Sequence, residues 1–174
     1  LFVINYLNEN NDLANLLFFV ILILIIFLKY NFPKAKVFLG DGGSYILGAL
    51  VAISAIKTSI LNPAISPFYF CILSFYLFFE VFFSFFRKLI REKTSPLHPD
   101  KKHLHMLLYK ALFKKNNDKL KSNYFVSLII NLFYLILICP AFFMMKNGMF
   151  CKYYSILFFV VYIFSYKVIY NRIR

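Results

Sequence analysis

The chain has 174 residues, of which 61% are hydrophobic and 16% are charged, and its mean hydropathy is +0.72. A soluble domain carries about 25% charged residues. This composition therefore excludes an ordinary soluble protein and indicates one that places its apolar surface in a lipid bilayer. The net charge of +13 does not indicate nucleic-acid binding, because the Lys and Arg residues lie between long apolar runs, as topology signals do.

The N-terminal residues read as a loop entered midway, because a polar stretch at residues 8–12 precedes the first apolar run. The chain opens at Leu1 with neither a basic segment nor a small-residue cleavage site, so we do not interpret it as a signal peptide. We expect instead that the sequence is truncated at its front. The cysteines show no C-x-x-C spacing and predict neither a disulfide framework nor a zinc ribbon.

Five apolar segments follow, at about residues 13–28, 44–56, 67–86, 124–145 and 153–170. About 20 helical residues cross the hydrocarbon layer, so the second segment is short and should borrow residues from both flanks. Continuous apolar runs indicate helices, since the strands of a membrane barrel alternate. We therefore predict an all-α polytopic membrane protein with about five transmembrane helices, and we treat residues 1–174 as a single membrane domain.

The loops predict the orientation of these helices. Loop 87–122 contains eleven Lys and Arg residues, and loop 29–43 and the C-terminal tail add three each. Cytoplasmic loops carry such an excess, so both loops and the C-terminus should face the cytoplasm. Helical spacing of apolar residues also predicts a short amphipathic helix near residues 103–113, of the kind that lies on a membrane surface.

A glycine-rich segment, Val37-Phe38-Leu39-Gly40-Asp41-Gly42-Gly43-Ser44, directly precedes the second span. Glycine permits a close approach of ligand to backbone, and a helix N-terminus offers N–H groups to an anion. Asp41 can bind Mg²⁺, which prefers carboxylate and phosphate oxygens. The segment suits a diphosphate with its metal. An ordinary turn in which Asp41 or Ser44 caps the helix is the alternative.

A second polar segment lies in the basic loop: Ser95-Pro96-Leu97-His98-Pro99-Asp100-Lys101-Lys102-His103-Leu104-His105. Lys and His can neutralise phosphate charge, and His can also act as an acid or a base. His103 and His105 share a face only if the backbone there is extended. We expect Pro96 and Pro99 to fix the loop's shape. The alternatives are a solvated loop that contacts anionic lipid and a zinc site.

Glu80 is an acid inside the third apolar segment. A carboxylate within the membrane is costly and is a functional hypothesis by default. The alternative is a structural ion pair between Glu80 and a Lys or Arg of loop 29–43.

The two polar segments resemble one family. Phe38-Leu39-Gly40-Asp41-Gly42-Gly43-Ser44 with Leu47-Gly48 is similar to the F-[LM]-G-D-x-G-S-x-x-L-G signature of the polyprenyl-phosphate sugar-1-phosphate transferases, which are related to phospho-N-acetylmuramoyl-pentapeptide transferase. Residues 95–105 resemble the same family's S-P-x-x-P-D-x-x-H-[IL]-H loop. The resemblance implies an all-helical bundle, of which this chain is the C-terminal part, with a cytoplasmic active site.

The resemblance also implies roles for individual residues. Asp41, His103 and His105 match catalytic positions, with Asp41 as the ligand of Mg²⁺. Substrate-binding positions are matched by Gly40, Gly42, Ser44, Asp100, Lys101 and Lys102. Met106 stands where many relatives have another His, and Glu80 where many have Asp. The family's acidic pair and its Asn/Asp-rich loop lie earlier in the family pattern and are absent from these residues.

The resemblance implies a Mg²⁺-dependent enzyme of the bacterial inner membrane. It would transfer a sugar 1-phosphate from a UDP-N-acetylhexosamine to undecaprenyl phosphate, release UMP and start the synthesis of a cell-envelope polysaccharide. Its partners would be the UDP-sugar, the polyprenyl phosphate and the membrane, and a homodimer stays open. The alternatives are a truncated, inactive remnant of such an enzyme and a metal transporter that uses His98, His103 and His105.

Overall fold

Helices make up the regular structure of the chain in the computed structural model, which describes residues 1–95, 98 and 100–173. Pro96, Leu97 and Pro99 of the second motif and Arg174 lie outside the described residues, and so does the prediction that the two prolines fix the loop's shape. The helices are α1 (Phe2–Leu7), α2 (Asn11–Asn31), α3 (Gly40–Leu61), α4 (Pro67–Phe86), α5 (Leu104–Asn116), α6 (Lys119–Phe143) and α7 (Gly148–Ile173), with a π-helical turn at Arg87–Glu92.

Five of these helices are long and apolar enough to cross a membrane: α2, α3, α4 with the turn that continues it to Ile90, α6 and α7. The predicted all-α architecture with about five spans is confirmed. The spans are longer than the apolar runs, and α3 takes residues from both flanks as expected. Phe38, Ile60, Ile136 and Phe143 are among many large apolar side chains that stay exposed, and a bilayer explains them better than water does.

Residues Leu1–Ile65 form one compact unit, which contains α1, α2 and α3. A buried polar contact joins α1 to α3, because the Asn5 side-chain amide donates to the Thr58 hydroxyl at 2.7 Å. Thr58 in turn donates to the Ser54 carbonyl oxygen at 2.7 Å. Both Asn5 and Thr58 are fully buried. A buried polar group needs such a partner, so these bonds pin the end of α3 that lies opposite the glycine-rich segment.

Residues Ser66–Arg174 form the second compact unit. An aromatic seam joins α4 to α7, in which Phe79 meets Tyr162 edge to face with ring centroids 4.8 Å apart and Phe83 meets Tyr166 at 4.8 Å. The Tyr134 hydroxyl ties α6 to α4 by donating to the Ile72 carbonyl oxygen at 2.7 Å. This packing fixes the ends of α4 and α7 that support the basic loop. The prediction that residues 1–174 form a single domain stays a prediction.

The basic loop begins where α4 passes into the π-helical turn. Lys93 ends that turn in the left-handed conformation, with φ of 51°. The loop then runs to α5, whose observed range Leu104–Asn116 agrees with the helix predicted near residues 103–113. His103 is the N-cap of α5 and has extended backbone (φ −64°, ψ 150°). The second motif therefore ends at a helix N-terminus.

Candidate functional site

The glycine-rich motif forms the N-terminal turn of α3 in the first unit. Gly40 has φ of +71°, a left-handed conformation that L side chains rarely adopt. Asp41 follows in the first helical turn and is exposed. The Ser44 hydroxyl donates to the Gly40 carbonyl oxygen at 2.9 Å. Neither Asp41 nor Ser44 caps α3, since the N-cap is Leu39 and has no side-chain cap bond. The simple capping alternative therefore lacks support.

The chemistry of this turn fits Mg²⁺. In the described part of the chain, no three His, Cys, Asp or Glu side chains are arranged to hold a metal ion together. Mg²⁺ does not need such a cage, because it is often bound by one or two carboxylates together with substrate phosphates and water. One exposed carboxylate in the first turn of a helix whose N-cap makes no side-chain cap bond matches that mode. The alternative of a metal transporter that uses His98, His103 and His105 gains no support from the described residues.

The two motif histidines lie next to each other in the second unit. Their rings stack with centroids 5.6 Å apart and planes within 7°. His103 reaches this arrangement because its backbone is extended while His105 is already in the first turn of α5. The Nδ1 atom of His105 lies 3.5 Å from the Tyr76 hydroxyl oxygen. Within a regular helix, a separation of two residues would place these side chains on different faces. Because His103 precedes the helix, the two rings lie together instead.

Glu80 binds the first of these histidines. Its Oε1 atom lies 2.9 Å from His103 Nδ1 and accepts the Leu104 backbone N–H at 2.8 Å. Its Oε2 atom accepts the Tyr162 hydroxyl at 2.6 Å. Glu80 is only 7% exposed. Within the second unit the carboxylate therefore has an imidazole and two neutral donors as partners, and the ion pair with loop 29–43 stays a prediction.

A second charged cluster closes the base of the loop. Arg87 is buried and donates through one nitrogen to Glu92 at 2.6 Å and through another to Asp100. Asp100 also accepts the Ser84 hydroxyl and the Lys102 backbone N–H. The Lys102 ammonium pairs with Glu92 at 2.7 Å. Buried charges need partners of this kind, so the cluster holds the two ends of the loop together.

The cluster keeps both of its acids ionised. Hydrogen bonding from Lys102, together with the charge of Arg87, lowers the pKa of Glu92. Burial alone would raise the pKa of Asp100, but hydrogen bonds from Ser84 and the Lys102 amide and the positive charge of Arg87 outweigh it and hold the pKa below its ordinary value. Two negative charges therefore balance the Arg87 guanidinium and the Lys102 ammonium.

This balance predicts a loss of stability in acid. Groups whose folded pKa lies below the unfolded value contribute stability above the unfolded pKa, about 4 for these acids, and lose it as the pH falls through the folded pKa. We expect the melting temperature of the detergent-solubilised protein to fall below about pH 4. Glu92→Gln should flatten this pH dependence, whereas Asp12→Asn, at an exposed acid outside the cluster, should keep the wild-type curve. Identical curves for wild type and Glu92→Gln would contradict the assignment.

The substrate-binding residues predicted in the loop have distinct surroundings. Asp100 is enclosed, as described, and Lys102 is tied to Glu92. Lys101 is exposed, and its carbonyl oxygen accepts the Lys110 ammonium at 3.2 Å. The Lys101 ammonium is therefore well placed to meet a ligand from solution. The roles predicted for Asp100, Lys101 and Lys102 stay predictions.

Sequence reasoning missed several side chains of this site. Tyr76, Ser84 and Tyr162 hydrogen-bond to His105, Asp100 and Glu80, respectively. One signal was present, since Tyr76, Glu80 and Ser84 lie four residues apart and so share a face of α4. Tyr162 gave no comparable signal, because it lies 82 residues from Glu80 in sequence.

An apolar cavity of about 220 Å³ adjoins these tyrosines within the second unit. Tyr76 and Tyr162 contribute to its wall, as does Leu104, the residue after His103. The rest of the lining is mostly aliphatic and aromatic, from α4, α5, α6 and α7. The cavity is smaller than the roughly 300–1,000 Å³ of typical ligand sites, so it fits a short stretch of an apolar chain.

Comparison with known proteins gives two matches. Residues 1–59 match the model of glycosyl transferase family 4. Over 88 residues the chain is 36% identical to the undecaprenyl-phosphate alpha-N-acetylglucosaminyl 1-phosphate transferase of Thermotoga maritima, an alignment that covers 51% of this chain and 28% of that protein. The chain thus spans less than a third of the length of this curated relative. No solved structure matches the chain.

Proposed function

We propose that this chain belongs to glycosyl transferase family 4 and is part of an enzyme that transfers a sugar 1-phosphate from a UDP-N-acetylhexosamine to undecaprenyl phosphate. The observation that carries the proposal is the match of residues 1–59 to the family, because that stretch contains the complete glycine-rich motif around Asp41. The relative in Thermotoga maritima supports the class of lipid acceptor and of sugar by its name. Five membrane-spanning helices suit an enzyme with a lipid substrate.

The proposed reaction forms one P–O bond at the β-phosphorus and breaks another. A phosphate oxygen of the lipid attacks the β-phosphorus of the UDP-sugar, the bond from that phosphorus to the bridging oxygen breaks, and UMP leaves. Negative charge builds on the phosphoryl oxygens during this exchange. When bound at Asp41, Mg²⁺ would supply a positive charge that offsets it. We assign His103 and His105 to contacts with the diphosphate. In the glycine-rich motif, Gly40 and Gly42 would bind substrate through their backbone, and Ser44 would bind it through its hydroxyl.

The second unit offers features that suit such substrates. The exposed Lys101 and the paired imidazoles can attract phosphate groups. The adjoining apolar cavity would accept isoprene units of the lipid, since its wall is apolar and Leu104 places it next to His103. Orientation of the basic loop toward the cytoplasm would let it meet a soluble UDP-sugar. The same proposal places the enzyme in the bacterial inner membrane and has its product start the synthesis of a cell-envelope polysaccharide.

Lipid extraction tests the proposed activity. Membranes that contain the complete gene product are incubated with Mg²⁺, undecaprenyl phosphate and one sugar-labelled donor at a time: UDP-GlcNAc, UDP-GalNAc or UDP-glucose. We expect label in the organic phase with an N-acetylhexosamine donor, in proportion to added undecaprenyl phosphate. Membranes of the same host without the gene give the background. Label that stays at background with every donor would refute the proposal.

A further inference from the structure

Glu80 is bound in a way that the transfer reaction itself does not explain. Its two oxygens receive hydrogen bonds from three elements: His103 before α5, the Leu104 N–H at the start of α5, and Tyr162 of α7. A membrane-embedded carboxylate is costly. Three donors on one carboxylate offset that cost, because each satisfies a lone pair that burial removes from water. The acid is therefore held in one orientation toward His103.

The contact decides which nitrogen of His103 carries a proton. A carboxylate only accepts hydrogen bonds, so the imidazole nitrogen 2.9 Å away, Nδ1, has to carry the hydrogen. Nδ1 keeps this hydrogen whether the ring is neutral or positively charged. Nε2 is then the atom that gains or loses a proton. Its distance to the Asp100 carboxylate oxygen is 4.0 Å, beyond a hydrogen bond, so that contact does not occupy it.

We propose that Glu80 is a positioning residue: it holds His103 with Nδ1 protonated and leaves Nε2 as the nitrogen that, in the charged ring, donates to the diphosphate. The inference rests on the proposed transferase function. Tyr162 supports the arrangement by fixing the second oxygen of Glu80 at 2.6 Å. The Leu104 N–H ties the same carboxylate to the backbone next to His103, so ring and backbone are oriented by one side chain. A partner of this kind sets the tautomer of a functional histidine.

A purely structural role is the competing explanation. Glu80 satisfies a backbone N–H at the start of α5, and an acid there also interacts favourably with the helix dipole. A structural role predicts lower stability after substitution but no specific change in the imidazole. The two explanations therefore separate on a direct observation of the ring nitrogens.

The test combines nitrogen NMR of histidine with kinetics on the complete gene product in detergent. The signal of His103 is assigned by its loss in His103→Asn. In the wild type we expect neutral His103 to carry hydrogen on Nδ1. Glu80→Gln should shift the ring toward the Nε2–H form and lower turnover by about 10–100-fold, the size typical of losing an orienting partner, with little change in the KM for the UDP-sugar. His98→Asn should keep turnover within a few-fold of wild type.

Tyr162→Phe keeps the Glu80–His103 contact and removes one other donor to Glu80. It is therefore the control that separates a loss of orientation from a folding defect in Glu80→Gln. We expect it to keep the Nδ1–H form and to reduce turnover less than Glu80→Gln does. An Nε2–H form in the wild type, or the same tautomer in wild type and Glu80→Gln, would overturn the positioning role. A wild-type protein with the Nδ1–H form but no transfer activity would support the positioning of His103 and refute the transferase.

Discussion

Asp41→Asn is expected to abolish formation of the lipid-linked sugar phosphate by the complete gene product. The substitution keeps the size of the side chain and removes the negative charge that makes it a ligand for Mg²⁺. Charge on the transferred phosphoryl group would then lack its counter-ion, and that electrostatic stabilisation is the main source of catalysis in phosphoryl transfer. The measurement is the initial rate of label transfer into the organic phase over a range of Mg²⁺ concentrations.

The matched control is Asp12→Asn, which removes an exposed acid from the first turn of α2 in the same unit. It should keep the wild-type rate and the wild-type dependence on Mg²⁺. Residual activity of Asp41→Asn that recovers at high Mg²⁺ would support a metal-binding role, because weaker binding is offset by more metal. Activity near the wild-type rate at low Mg²⁺ would show that position 41 does not hold the metal.

His103→Asn is expected to lower turnover by about 10²–10³-fold, the range for loss of one hydrogen-bond donor to the negative charge that develops in the transition state. The Asn side-chain amide can still donate a hydrogen bond to Glu80, so we expect the fold of the loop to survive. It cannot place a titratable nitrogen where Nε2 lies. Steady-state rates with saturating UDP-sugar measure this loss, and melting temperatures of the same samples report on folding.

His98→Asn is the control for His103→Asn, since His98 lies in the same loop and is exposed. We expect it to stay within a few-fold of wild type. A His103→Asn protein that folds and turns over as fast as His98→Asn would remove His103 from the reaction. Loss of activity in both variants would instead point to a general effect of the loop on substrate binding.

The membrane helices were the part of the fold that the sequence predicted well. Long apolar runs can only be satisfied as helices in a bilayer, and all five are present. Their ends were harder to predict, because polar residues extend them. The helix α3 continues to Leu61 since Thr58 finds a buried partner in Asn5. The partner lies 53 residues away, and no local pattern reveals it. The short helix α1 was likewise missed.

The candidate site was predictable in its residue types but not in its contacts. The motifs singled out Asp41, His103 and His105, whose roles stay predictions. The competing expectations for the spacing of the two histidines depended on the backbone, and the extended conformation of His103 decides in favour of a shared face. For Glu80 the sequence suggested either a function or a salt bridge with loop 29–43. Its hydrogen-bond partners within the second unit come from the start of α5 and from α7, which tertiary packing alone brings together.

The most direct test of the central claim follows two isotopes in one reaction. UDP-N-acetylglucosamine labelled with ¹⁴C in the sugar and ³²P in the β-phosphate is incubated with Mg²⁺, undecaprenyl phosphate and membranes that contain the complete gene product. We expect both labels to enter the same lipid in equal amounts while UMP is released. Transfer of ¹⁴C without ³²P would mean that the sugar alone moves, and it would contradict the assignment as a sugar-1-phosphate transferase.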